Sequence, residues 1–171
     1  MAFIVNLPHD TIDSRPVNAV VRRTKLSKKM KVKLAESEAD IKRCFPVMVQ
    51  LRPHLTSDEF TLGAKRQSQQ EGYQLAYLED ANEIKAVAGF RVSEMLSRGR
   101  FLYVDDLVTD HDSRSKGYGD FLFDWLVEYA KSQNCCHLEL DSGVQRVDAH
   151  RFYFRKRMQI SGYHFSLKLS G

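Results

Sequence analysis

At 171 residues the chain has the length of one domain and can bury a substantial core; 43% apolar and 28% charged residues are ordinary for a soluble globular protein. No apolar run approaches the roughly 20 residues of a membrane-crossing helix. The opening Met1-Ala2-Phe3-Ile4 lacks the basic n-region of a secretory signal, and three cysteines, two adjacent at Cys135-Cys136, suit neither a disulfide framework nor a zinc site, so a cytoplasmic protein without a metal is expected. The net charge of +4 is uneven: residues 1–33 carry eight Lys/Arg and two Asp, net +6, and the remainder 18 Lys/Arg and 20 Asp/Glu, net −2.

Residues 1–30 read as a basic leader ahead of a domain spanning 31–171. Arg22, Arg23, Lys25, Lys28 and Lys29, continued by Lys31 and Lys33, form a run that could touch nucleic acid. No aromatic residue interleaves to stack on bases, so nucleic acid is not expected as a partner and a solvated leader is preferred. Met30 leaves open where the natural start lies. The domain opens with a strand over 31–34 and a helix over 39–55, where Ile41, Phe45, Met48, Val49 and Leu51 recur at helical spacing and Pro46 and Pro53 predict a bend. A second helix starts at Thr56 or Ser57 and ends before Gly72. Alternation then predicts strands over 73–77, 84–92 and 100–108. A helix follows Gly117, with Phe121, Leu122, Trp125, Leu126 and Tyr129 on its apolar stripe. Residues 137–141 form the next strand, residues around Ala149 a last helix, and Tyr163, Phe165, Leu167 and Leu169 a last alternating strand. This order gives an α/β fold with helices on the faces of a mixed sheet.

The segment Arg114-Ser115-Lys116-Gly117-Tyr118-Gly119 lies where the 100–108 strand passes into a helix. A helix start leaves backbone N–H groups without partners and adds partial positive charge, and glycine lets an anion approach closely. A dinucleotide fingerprint would need glycine at Leu122, and a P-loop would need Gly-Lys-Ser/Thr; neither is present. Arg-x-x-Gly-x-Gly resembles the coenzyme A pyrophosphate loop of the GNAT superfamily of acyl-CoA-dependent N-acetyltransferases. The helix Asp148–Met158, with Ala149 four positions before Tyr153, resembles that family's late helix. The resemblance covers roughly residues 32 to 169. It implies a mostly antiparallel mixed sheet, a splayed central strand pair that admits pantetheine, acetyl-CoA as cosubstrate and an amine as acceptor.

The same resemblance assigns the pyrophosphate to the backbone from Ser115 through Lys116, Gly117, Tyr118 and Gly119 with help from Arg114, and pantetheine to the backbone of Leu107 and Val108. Asp105 and Asp106 are unfavourable inside an apolar strand. Being consecutive they are expected on opposite faces, so that at most one, Asp106 by preference, serves the amine; a bulge or a strand-end hydrogen bond to backbone would explain them equally. Tyr153 is the candidate acid for the departing thiolate, with an aromatic core contact as its structural alternative. Asp141 and Ser142 could line the acceptor site or simply make a turn. Two residues depart from the family pattern: Arg157, where glycine is common, and Arg146, where asparagine is common. These departures keep a second reading open, a non-catalytic acyl-CoA-binding sensor or interaction module. The acidic residues near the site favour a cationic acceptor, and the last strand offers a pairing edge for a homodimer.

Overall fold

Ser37 and Thr56 each accept a hydrogen bond from the backbone of the residue three positions on, and the carboxylates of Asp40 and Glu59 reach back to the cap N–H. These two capping boxes start the helices α1, Glu38–Met48, and α2, Ser57–Glu71. In the computed structural model, which describes residues 30–169, α1 and α2 lie between β1, Lys31–Leu34, and β2, Gln74–Asp80. The chain continues through β3, Glu83–Met95, and β4, Gly99–Thr109. A short 3-10 turn at His111–Ser113 leads into α3, Tyr118–Ser132, and then come β5, His137–Leu140, and α4, Val147–Arg155. The basic leader, save Met30, lies outside the described residues.

The five strands form one open sheet in the order β1-β2-β3-β4-β5, antiparallel except for the parallel pair β4–β5. This is the α/β, mostly antiparallel arrangement expected. One face packs Tyr73, Leu75, Tyr77, Val87 and Val108 against Ile41, Cys44, Val47 and Met48 of α1 and Phe60 and Ala64 of α2. The other packs Ala76, Leu78, Ala86, Ala88, Phe90, Leu102 and Val104 against Leu122, Leu126 and Ala130 of α3. Because both faces are covered, β2 and β3 carry apolar side chains on both sides in their centres. α4 joins the α3 side: Phe152 meets Phe123 edge-on at 5.6 Å between ring centroids, and Lys156 bridges to Asp120 and Asp124.

Two expectations are corrected. The first helix ends at Met48 rather than Leu55, and residues 49–55 form turns with Pro53 among them. The last strand is absent: residues 159–169 have neither helix nor strand, and Tyr163, Phe165, Leu167 and Leu169 are more than 80% exposed. Period-two alternation makes a strand only where another strand supplies hydrogen bonds, and among the described residues none pairs with this segment. β5 is therefore an edge strand of the sheet among the described residues.

Candidate active site

The parallel pairing of β4 with β5 runs from Phe101 opposite His137 to Val104 opposite Leu140 and stops. β4 continues through Asp105, Asp106, Leu107, Val108 and Thr109, still paired with β3 as far as Thr109 opposite Ala86. Over this stretch its other edge has no strand neighbour among the described residues. β5 ends at Leu140, so the edge of β4 that carries Leu107 and Val108 runs on beyond it.

Beyond the end of β4 the chain turns into α3. Gly117 is the N-cap at φ +87° and Ser115 lies at φ +61°; at Gly117 any other residue would be strained. α1 and α2 satisfy their first N–H groups with capping boxes, whereas α3 has no side-chain cap, so the N–H groups of Tyr118, Gly119 and Asp120 remain available for an anion. Gly119 packs closely: a Cβ there would come within 2.9 Å of Thr109 Oγ1, so a larger residue would need that side chain to shift. Gln50, just past α1, braces the loop, donating to Asp110 Oδ1 at 3.0 Å and accepting from His111 N at 2.8 Å. The buried Ser113 donates to Asp110 Oδ2, and Tyr118 donates across to Asp80 on β2 at 2.9 Å. The Tyr118 ring is thus an anchor, and Lys116 is turned onto the Asp112 carbonyl at 2.7 Å. Arg114 is exposed.

The two aspartates are not on opposite faces. Gly89 pairs with Asp106 and Phe90 with Val104, leaving Asp105 as an extra residue on β4. Across this bulge the alternation slips by one: Val104 and Leu107 both face α3, and Asp105 and Asp106 both face the cavity bounded by α1 and α2. Each carboxylate meets an arginine. Arg52 Nε donates to Asp106 Oδ1 at 2.7 Å, with a longer bond to the Asp105 carbonyl. Arg91 Nε donates to Asp105 Oδ2 at 3.0 Å, and the Arg91 guanidinium also meets Glu71 and Gln67. Burial pushes the Asp105 carboxyl above its ordinary pKa, opposed by Arg91. The buried Tyr73 ring lies on Gly89, where a Cβ would come within 2.1 Å of its hydroxyl; desolvation and then the two aspartates hold that phenol neutral.

Tyr153 is half-buried on α4, edge-on to Phe152 at 5.6 Å, with its pKa raised by burial and pulled back by Arg146. Arg157 adopts the left-handed conformation at φ +62°, so the turn after α4 has the geometry in which glycine is usual, without glycine. Asp141 accepts from Tyr103 at 2.7 Å and faces His164 Nδ1 at 3.0 Å, and Asp148 pairs with Arg151; neither is paired with Arg146 among the described residues. Ser142 Oγ is buried without a hydrogen-bond partner. The sequence reading missed Arg52, Arg91 and Tyr73. Only Arg91, a charge inside the alternating β3 run, left a local signal.

The model of the Acetyltransferase (GNAT) family matches residues 37–158. The uncharacterized N-acetyltransferase YhdJ of Bacillus subtilis is 34% identical over 125 residues, covering 73% of this chain and 88% of that protein. The fold resembles a GNAT family acetyltransferase of Staphylococcus aureus, with TM-score 0.70 and 18% identity over 82% of this chain and 99% of that one. It also resembles glucosamine-6-phosphate N-acetyltransferase of Arabidopsis thaliana, with TM-score 0.66 and 20% identity over 84% and 100%. A glycine-loop start of α3, a bulged β4 whose edge runs on past β5, and a family match spanning both place the chain in the GNAT family of acetyltransferases.

Proposed function

We propose that the protein transfers an acetyl group from acetyl-CoA to a primary amine by direct attack in a ternary complex. The observation that carries this reading is the edge of β4 that runs on past the end of β5, followed by an uncapped helix start. That succession suits a ligand with an extended arm and a pyrophosphate: Leu107 and Val108 offer backbone to the arm, and Ser115 through Gly119 offer N–H groups to the anion.

Acetyl transfer needs a neutral amine beside the acyl carbon, an N–H for the oxyanion and a proton for the leaving thiolate. The amine enters from the cavity at Asp105 and Asp106, on the face of β4 turned to α1 and α2. Asp106 is tied to Arg52 and can position the amine by accepting its hydrogen bonds. Asp105, whose pKa burial raises against the opposing Arg91, can accept a proton. Backbone N–H groups at Leu107 or Val108 would steady the oxyanion. Tyr153, kept protonated by burial, supplies the proton to sulfur. Asp141, engaged by Tyr103 and His164, and Ser142 hold the floor beyond β5.

Isothermal titration with acetyl-CoA, followed by thiol release across an amine panel, tests this. Binding with amine-dependent release is expected. Acyl-CoA binding without release by any amine would favour the sensor reading, and no binding would remove the assignment of the glycine loop.

A further inference from the structure

A cavity of about 620 Å³ opens between α2, the α1–α2 loop and the bulge of β4, a size typical of small-molecule sites. Tyr73, Asp105 and Asp106 line its inner side, and Met48, Leu55 and Phe60 give it an apolar wall. Its carboxylates outnumber its cations. Asp105, Asp106 and Glu59 stand against Arg52 and Arg66, and Arg91 is shared between Asp105 and Glu71. Glu59 stays ionised in the cap of α2, where hydrogen bonds from Thr56 hold its carboxyl below the ordinary value. The cavity is therefore net negative and favours a cation.

Tyr73 supplies an independent observation. It is only 5% exposed and lines the cavity, yet its hydroxyl makes no hydrogen bond among the described residues. The hydroxyls of Tyr77, Tyr103, Tyr118 and Tyr129 each donate to a side-chain oxygen, and a phenol this buried ordinarily has a partner. Gly89 fixes where the Tyr73 hydroxyl lies. A Cβ at Gly89 would stand 2.1 Å from it, and Gly89 is the cross-strand partner of Asp106. Directly opposed residues project to the same face with Cβ positions about 5 Å apart. The missing side chain at Gly89 thus lets the hydroxyl lie beside the bulge, next to Asp106.

Each acid also keeps one oxygen without a donor. Asp105 meets Arg91 through Oδ2 and Asp106 meets Arg52 through Oδ1, while Asp105 Oδ1 and Asp106 Oδ2 accept no hydrogen bond among the described residues. Three oxygens on the inner side of a net-negative cavity lack donors, and a primary ammonium group carries three N–H groups.

We infer that Tyr73 Oη, Asp105 Oδ1 and Asp106 Oδ2 form a seat for a primary ammonium group, with the apolar body of the amine along Met48, Leu55 and Phe60. Tyr73 is then the residue that, with the two acids, distinguishes a primary amine from amines of equal charge with fewer N–H groups. The use of this seat in acetyl transfer rests on the transferase reading; its recognition of ammonium does not.

The test is isothermal titration of the full chain at neutral pH with hexylamine, N-methylhexylamine, N,N-dimethylhexylamine and hexyltrimethylammonium. All four carry one positive charge and the same apolar chain, and they differ in having three, two, one or no N–H groups. Affinity is expected to fall about tenfold for each N–H lost. Tyr73→Phe keeps the ring and removes the hydroxyl; it should weaken hexylamine about tenfold, bringing it level with N-methylhexylamine, and leave hexyltrimethylammonium unchanged. A purely structural role for Tyr73 would shift all four alike. No binding of hexylamine, equal binding across the series, or a Tyr73→Phe loss common to all four members overturns the inference. Thiol release with acetyl-CoA is read separately. Graded binding without release by any amine keeps the ammonium seat and removes the transferase; release without graded binding keeps the transferase and removes the seat.

Discussion

Tyr153 is the residue whose replacement separates chemistry from binding. Its phenol is half-buried and its hydroxyl makes no hydrogen bond to another described residue, so Tyr153→Phe keeps the ring's contact with Phe152 and removes the proton donor alone. The expected outcome is a fall in kcat of about 100-fold with the KM for acetyl-CoA unchanged within about twofold, measured by steady-state thiol release. An equal loss in binding would mark the tyrosine as a packing residue. Cys44 tests burial on its own terms: it is fully buried against α1's core neighbours, and desolvation pushes its thiol up to about 12. In the native protein at neutral pH, iodoacetamide is expected to modify the exposed Cys136 and leave Cys44 untouched until unfolding; mass spectrometry of the labelled peptides reads this directly. At this scale the acids Asp105 and Asp106 were visible in the sequence as charges out of place. Their pairing was not, because Arg52 comes from far away in the chain and Arg91, though a visible charge in β3, meets Asp105 only through the register of β3 against β4.

Elements carry two further expectations. Gly63→Ala adds a methyl group to α2 where nothing stands in its way and should stabilise the protein by about 0.5–1 kcal/mol, seen as a higher urea midpoint with an unchanged slope. Gly89→Ala should do the reverse, costing about 1–3 kcal/mol, because the added carbon would land on the Tyr73 ring and hydroxyl. Tyr73→Phe in the same molecule removes the atom in closest collision and should recover part of the loss, a coupling that a double-mutant cycle measures. No rescue would mean that the strain lies in the β3 backbone. The helices were legible from caps and apolar stripes. The consecutive aspartates admitted a bulge as one alternative, but its place was not legible, because it arises from the register of β4 against β3.

For the whole molecule, acid is the revealing variable. Glu38, Asp40, Glu59, Glu79 and Asp110 all have carboxyls held below their ordinary values, chiefly by hydrogen bonds from Lys42, Ser37, Thr56, Lys33 and Gln50 respectively, with Glu38 at about 2. A carboxyl whose folded-state pKa lies below its unfolded value contributes stability that is fully present above the unfolded value and is lost as pH falls through the folded one. Asp105 has the opposite sign, its burial penalty being relieved as it protonates. Five groups against one predict that the thermal midpoint declines as pH drops from about 5 toward 2; a midpoint that rises over this range would show that burial of Asp105 outweighs the rest. Glu38 and Glu59 are exposed and the other three partly so, so the decline should be shallow and flattened further by salt.

Local order came from the sequence: apolar spacing and caps specify where α2 and α3 run, alternation specifies β2 to β4, and a glycine-bearing segment after a strand specifies a helix start without a side-chain cap, since each depends on residues near one another in the chain. Tertiary structure decided the rest. It ended α1 early, slipped β4 so that two acids share one cavity, supplied each with an arginine, and left the alternating residues 163–169 without a strand to pair with. Register, ion pairing and strand formation all depend on the partner across the gap, and a partner distant in sequence leaves no mark on the segment that needs it.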